Sequence, residues 1–207
     1  MIANFEPLLP VVLALIAAVL FAFGDQCSRV AMRYTDSQTA TFFQIGVSTT
    51  LYWLISPFYL EMSFWSSPVL PLLAAIGLMR PLISANLSMA GTRILGPTIS
   101  STLSSTAPLF GVALGVVLLA ETLSWEIVLG TAGIVFAVAI LSWRRASSRT
   151  WPLIALLLPI GAAIFRSLAH ALAKIGLEVL PSPFFVALVA YTVSFPIALA
   201  NDIRIRR

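Results

Sequence analysis

Charge is what this sequence has least of. Asp, Glu, Lys and Arg together make up 10% of it, against about 25% in an ordinary soluble domain, which is too little to cover a water-facing surface. Cysteine and histidine are each present once, as Cys27 and His170. An intrachain disulfide is therefore excluded, and so is a metal site built from several His and Cys side chains. No Gly-x-Ser-x-Gly elbow and no HExxH occurs, and nothing else in the chain points to a cofactor. The aspartates are Asp25, Asp36 and Asp202, none central in an apolar run. These absences argue against an enzyme. The net charge of +4 comes from basic residues lying mostly between apolar runs, which suits anchoring in a bilayer rather than binding nucleic acid. No Lys or Arg precedes the first apolar run in MIANFEPLLP. The positive n-region of a secretory signal is thus missing, and that run reads as a retained helix.

What is there is hydrocarbon. Hydrophobic residues make up 59% of the chain and the mean hydropathy is +1.00. A spanning helix needs about 20 predominantly apolar residues. Seven runs qualify, at roughly 7–30, 39–60, 68–89, 97–120, 123–143, 151–175 and 183–201. Helix is expected because each backbone polar group must find a partner inside lipid, and the short apolar–polar alternation of barrel strands is absent. The fold expected is all-α, a polytopic transmembrane bundle of about seven helices whose main partner is the lipid bilayer. The most polar connection, at 144–150, carries Arg144, Arg145 and Arg149. It divides the chain into a five-helix part, 1–143, and a two-helix part with a basic tail, 151–207.

Sliding the sequence along itself by 141 positions places Asp25, Arg29 and Arg33 on Arg166, His170 and Lys174. Both sets are spaced i, i+4, i+8, so each forms a ladder on one helix face. The shared ladder suggests a duplication whose copies insert with opposite orientations. Asp25 and Arg166 would then be symmetry mates of opposite sign, expected to face one another across the pseudo-two-fold axis.

Charges inside spanning runs cost roughly 2.5–3.5 kcal/mol each on insertion scales and tend to face a bundle interior. Asp25 and Arg29 read either as a pair near the interface, with Arg29 reaching to water, or as the lining of a central path. Arg33 reads as an interfacial anchor. Arg80, just before Pro81, is too deep to reach water easily and is expected on a solute path or in an internal ion pair, with Asn86 further along the same helix. Arg166 and His170 are the deeper rungs of the second ladder, and something acidic is expected to face them. Glu121 reads as an interfacial residue at a turn.

The segment TISSTLSSTAPLFGVALGVVLLAET sets seven hydroxyl side chains before Pro108 and a small-residue stripe through and after it. Ser104, Ala107, Gly111 and Gly115 share a face, and small residues let helix backbones approach closely. The expectation is a packing helix, kinked at Pro108, with line-of-pore hydroxyls as the alternative.

TAPLFGVALGVVLLAETLSWEIVLGTAGIVFAVAIL (residues 106–141) resembles the fourth and fifth helices of the EamA-type repeat in the drug/metabolite transporter superfamily. The likeness covers one full repeat, 8–143, and the first two helices of a second, 151–201. Ala120 stands where the family usually has glycine before the glutamate, and the proline-to-glutamate segment occurs once rather than twice. The resemblance implies ten helices in two inverted repeats, of which this chain holds seven, so it reads as truncated in its second repeat. It also implies a transporter of small metabolites or drug-like solutes working by alternating access in a cell membrane, expected to be a bacterial inner membrane. Asp25, Arg29, Arg80, Asn86, Arg166 and His170 are the expected lining. The alternative is a non-transporting or partner-requiring membrane subunit, with a homodimer or another chain completing the bundle.

Overall fold

The computed structural model describes residues 8–143 and 152–206, and every regular element among them is helical. In chain order the long helices are α1 (Leu8–Ala31), α2 (Ser37–Tyr59), α3 (Leu70–Leu95), α4 (Pro97–Leu119), α5 (Trp125–Trp143), α6 (Leu153–Val179) and α7 (Pro183–Arg206), with a short 3-10 turn at Met62–Ser66 between α2 and α3. The seven expected runs thus each become a helix. Five of them, α1, α3, α4, α6 and α7, are long and apolar enough to cross a membrane. The α2 helix has the length, but Thr39, Thr41, Gln44, Ser48, Thr49, Thr50 and Ser56 dilute its apolar character. The apolar stretch of α5 that qualifies is the shorter Trp125–Ala137. The basic linker expected at 144–150 lies outside the described residues.

The chain forms two compact units, residues 1–36 and 37–207. The first consists of α1 and the turn after it, where the Arg33 and Tyr34 amides bond to the Val30 and Ala31 carbonyls. Apolar residues on all sides of α1, among them Leu9, Leu15, Val19 and Phe23, are exposed. Such a surface is untenable in water and ordinary in hydrocarbon.

In the second unit, the helices before and after the 144–150 linker pack together. Its larger core joins Leu73 and Ile76 of α3, Ala169 of α6, and Phe185, Leu188 and Val189 of α7. A smaller one joins Ile45 of α2, Leu82 of α3 and Ala198 of α7. Proline and glycine set the boundaries. Gly96 has φ +83°, and this left-handed residue ends α3 before Pro97 opens α4. Within α4 the chain makes a turn at Ser105–Thr106, and a second helical segment begins at Ala107 with Pro108 in its first turn. The hydroxyls ahead of Pro108 bond back to their own helix: Ser101 and Thr102 to the Thr98 carbonyl, Ser105 to Ser101 and Thr106 to Leu103. Local carbonyls take up these four donors.

At the end of α4, Ala120 adopts φ 49° and ψ 31°, a left-handed conformation that costs a residue with a Cβ about 1–2 kcal/mol. Ala120→Gly should therefore raise stability by about 1 kcal/mol, read as an upward shift of the thermal midpoint in detergent. A lower midpoint would contradict it.

Candidate functional site

The site is organised by a break in α3. The α-helix runs from Leu70 to Gly77, widens into a π turn over Leu78–Ile83, and resumes from Ser84 to Leu95. Pro81 causes the interruption: it has no N–H to give the ladder, and it pushes the residue before it out of the helical region. Arg80 accordingly has extended backbone angles, φ −142° and ψ 124°, and the Arg80–Pro81 peptide bond is cis. Interrupted backbone at membrane depth persists where it faces protein or a polar interior.

On α6, Arg166 and His170 follow one another by one turn, and the charges of Arg80 and Arg166 both bear on the His170 imidazole. The Arg80 charge also bears on the Tyr52 phenol. The Tyr52 ring of α2 stacks on Tyr191 of α7, with centroids 5.3 Å apart, and meets Phe184 edge-on at 5.4 Å. Four helices thus contribute to one basic and aromatic cluster: Tyr52, Arg80, Arg166, His170 and Tyr191. Among the described residues, no carboxylate lies within ion-pair distance of Arg80 or His170. A guanidinium such as that of Arg80 binds a carboxylate or phosphate through charge-assisted hydrogen bonds.

The other expected residues fall as follows. The Asn86 Nδ2 donates to the Leu82 carbonyl at 3.0 Å, so this end of the amide serves its own helix. Arg29 is half-buried on α1. The Asp25 side chain lies outside the described residues, and so therefore does its expected meeting with Arg166. Lys174, the outer rung of the second ladder, has its acidic partner in Glu121, with which it forms an ion pair. Both side chains are about half exposed (52% and 45%), the setting in which such a pair contributes about 0–1 kcal/mol. Glu121 is therefore tied to α6 as well as sitting at its turn.

The small-residue stripe is divided. Ala107 meets α6 directly, its carbonyl accepting a hydrogen bond from Ser167 Oγ at 2.8 Å. Pro108 is half-buried beside it, and Ser104 Oγ is buried without a hydrogen-bond partner among the described residues. Gly115 is buried, and a Cβ there would come within 2.7 Å of a Glu121 carboxylate oxygen. Gly111 is exposed, and an added Cβ would meet nothing within 4 Å. Among the described residues, then, a carboxylate fills the space at Gly115 and nothing lies within 4 Å of an added Cβ at Gly111. The closest crossings are elsewhere. A Cβ on Gly77 of α3 would lie 2.6 Å from the Ala190 carbonyl oxygen of α7, and one on Gly91 would lie 3.0 Å from Pro159 of α6.

Tyr52, Tyr191, Gly77 and Ser194 were not singled out in the sequence. Only Gly77 carried a local sign, standing four residues before Pro81, so that a regular helix would leave its carbonyl without a donor.

Long apolar helices, one of them broken with an arginine at the break, define a polytopic membrane protein. The sequence pattern of the EamA-like transporter family matches residues 8–143, more than half of the chain, and the chain belongs to that family. It is accordingly a membrane transporter of the drug/metabolite transporter superfamily. Comparison with curated proteins and with solved structures returned no match.

Proposed function

We propose that the protein moves a small organic anion or zwitterion, a metabolite or drug-like solute, across the cell membrane of a bacterium by alternating access. The observation that carries this reading is Arg80 at the break in α3, with no carboxylate in ion-pair reach of Arg80 or His170 among the described residues. In this reading the solute's acidic group binds the Arg80 guanidinium. The Tyr52–Tyr191 pair forms an apolar wall with phenol edges, and Asn86 extends the lining. A lipophilic cation would instead need a deep carboxylate, and none lies in ion-pair reach of Arg80 or His170 among the described residues. Binding of an anion favours whichever conformation brings the cations closest together, and a solute shifts a conformational equilibrium only through such differential interaction.

Uptake by proteoliposomes of the purified chain tests this, with labelled succinate, glutamate, choline and glucose offered in parallel. The expected result is saturable uptake of succinate or glutamate, with choline and glucose at the level of empty liposomes. Flux equal to empty liposomes for all four would overturn the reading and favour a subunit that needs a partner chain. Uptake of choline in preference to the anions would overturn the assignment of the cluster.

A further inference from the structure

The break in α3 leaves one carbonyl to be accounted for. In a regular α-helix the Gly77 carbonyl would accept from the amide of residue 81, but residue 81 is proline and has no N–H. Losing that donor inside a membrane protein is costly unless others replace it; the π turn over Leu78–Ile83 shifts the backbone bonding to i→i+5, and serine or threonine from a neighbouring helix is a further remedy. Here a side-chain donor comes from α7. The Ser194 hydroxyl is fully buried and lies 2.6 Å from the Gly77 carbonyl oxygen. It also lies 2.9 Å from the Ala190 carbonyl of its own helix, the usual back-bond of a helical serine.

The bond sits where α3 and α7 come closest, since the missing Cβ of Gly77 faces the Ala190 backbone. The same short stretch of α7 registers α2. The Thr49 hydroxyl donates to the Tyr191 carbonyl at 3.2 Å, the Trp53 indole N–H donates to Thr192 Oγ1 at 3.0 Å, and the Tyr191 ring stacks on Tyr52. Residues 190–194 of α7 thus fix both α2 and the first half of α3, up to three residues before Arg80. Beyond that point the helix loses its regular bonding, and the direction of Arg80 depends on where Gly77 is held.

We infer that Ser194 is a positioning residue for Arg80: by donating to the carbonyl that residue 81 cannot serve, it sets the start of the break and so aims the Arg80 guanidinium toward His170 and Tyr52. This rests on the reading of Arg80 as a solute-binding residue, but only in its last step, and the test separates the two.

The proteins compared are the parent chain, Ser194→Ala, Pro81→Ala and the Pro81→Ala/Ser194→Ala double variant. Pro81→Ala restores an N–H to the position that would serve Gly77. Ser194→Ala is therefore expected to lower the thermal midpoint in the parent and to change it little in the Pro81→Ala background. Equal lowering in both backgrounds would overturn the role of Ser194 at the Gly77 carbonyl. Arg80 itself is read by its rate of modification with phenylglyoxal, followed by mass spectrometry well below the lowest midpoint, with exposed Arg93 as the internal reference. Ser194→Ala should change the Arg80 rate several-fold relative to Arg93, and an unchanged ratio overturns positioning whatever the solute proves to be. Succinate affinity supplies the functional arm. Ser194→Ala should weaken it about tenfold, a shift on the scale of one lost charge-assisted hydrogen bond, and should add nothing in an Arg80→Gln background. Full succinate affinity in Ser194→Ala, with loss in Arg80→Gln, overturns positioning and leaves the anion site standing. A changed Arg80 rate with no effect of Arg80→Gln on succinate supports positioning and overturns the anion site.

Discussion

Gly77→Val is expected to leave almost no folded, monodisperse protein after extraction into detergent. A Cβ at this position would stand 2.6 Å from the Ala190 carbonyl oxygen, 2.9 Å from its Cα and 3.1 Å from its carbonyl carbon. All three obstacles are backbone, so no rotamer change can relieve them, and α3 would have to move away from α7. Overpacking in a close-packed interior typically costs 1–3 kcal/mol, occasionally more. Separation of the helices would also lengthen the Ser194–Gly77 hydrogen bond, which adds about 1 kcal/mol. Even Gly77→Ala should therefore cost about 3 kcal/mol or more, enough to deplete the folded state of a protein of ordinary marginal stability. Gly111→Ala is the control. Nothing lies within 4 Å of its added Cβ, and alanine is preferred over glycine in a helix by about 0.5–1 kcal/mol, so its midpoint should hold or rise. Equal midpoints for Gly77→Ala and Gly111→Ala would refute the close crossing of α3 and α7.

These two glycines show what could be read from the sequence and what could not. Gly111 stands in a GxxxG frame, a recognised pattern of helix association, yet it faces open space. Gly77 stands in no such frame and makes the tightest approach. Spacing along one helix says which residues share a face, but not which face meets a neighbour. The helices themselves were legible because an apolar run of sufficient length has few alternatives in lipid. The break at Arg80–Pro81 was legible for the same kind of reason, since proline acts on its own helix. So was the ladder of Arg166, His170 and Lys174, which needs only the helical repeat. What the sequence withheld were pairings between segments: Ser194 lies 117 positions from Gly77 and Lys174 lies 53 positions from Glu121. Nothing local marks Ser194 among the hydroxyls of the chain, or Glu121 as the carboxylate that Lys174 meets. Tyr52 and Tyr191 were passed over because aromatics in apolar helices are common as plain packing, and only the nearness of Arg80 gives this pair a role beside the basic cluster.

Arg80→Gln should reduce kcat/KM for uptake of the preferred anion by about 10–100-fold, the equivalent of losing hydrogen bonds to a charged group worth about 1.5–3 kcal/mol. The loss should fall mainly on KM if Arg80 holds the solute equally in the bound and the moving states, and on kcat if its grip strengthens during the transition. Arg80→Lys keeps the charge but replaces a planar fork by a point charge, so it should retain part of the activity and lose discrimination in favour of planar carboxylates. Stability should move the other way. Arg80 has no carboxylate within ion-pair distance among the described residues, and a charge held in a spanning segment costs roughly 2.5–3.5 kcal/mol on insertion scales. Its removal should therefore leave the thermal midpoint of the solute-free protein unchanged or higher. A purely structural arginine predicts the opposite pattern, a fall in midpoint with uptake lost in proportion to the folded fraction. Uptake and midpoint measured on the same preparations of Arg80→Gln, Arg80→Lys and the parent thus separate a cation kept for the solute from one kept for the fold, because only the first weakens transport while sparing stability.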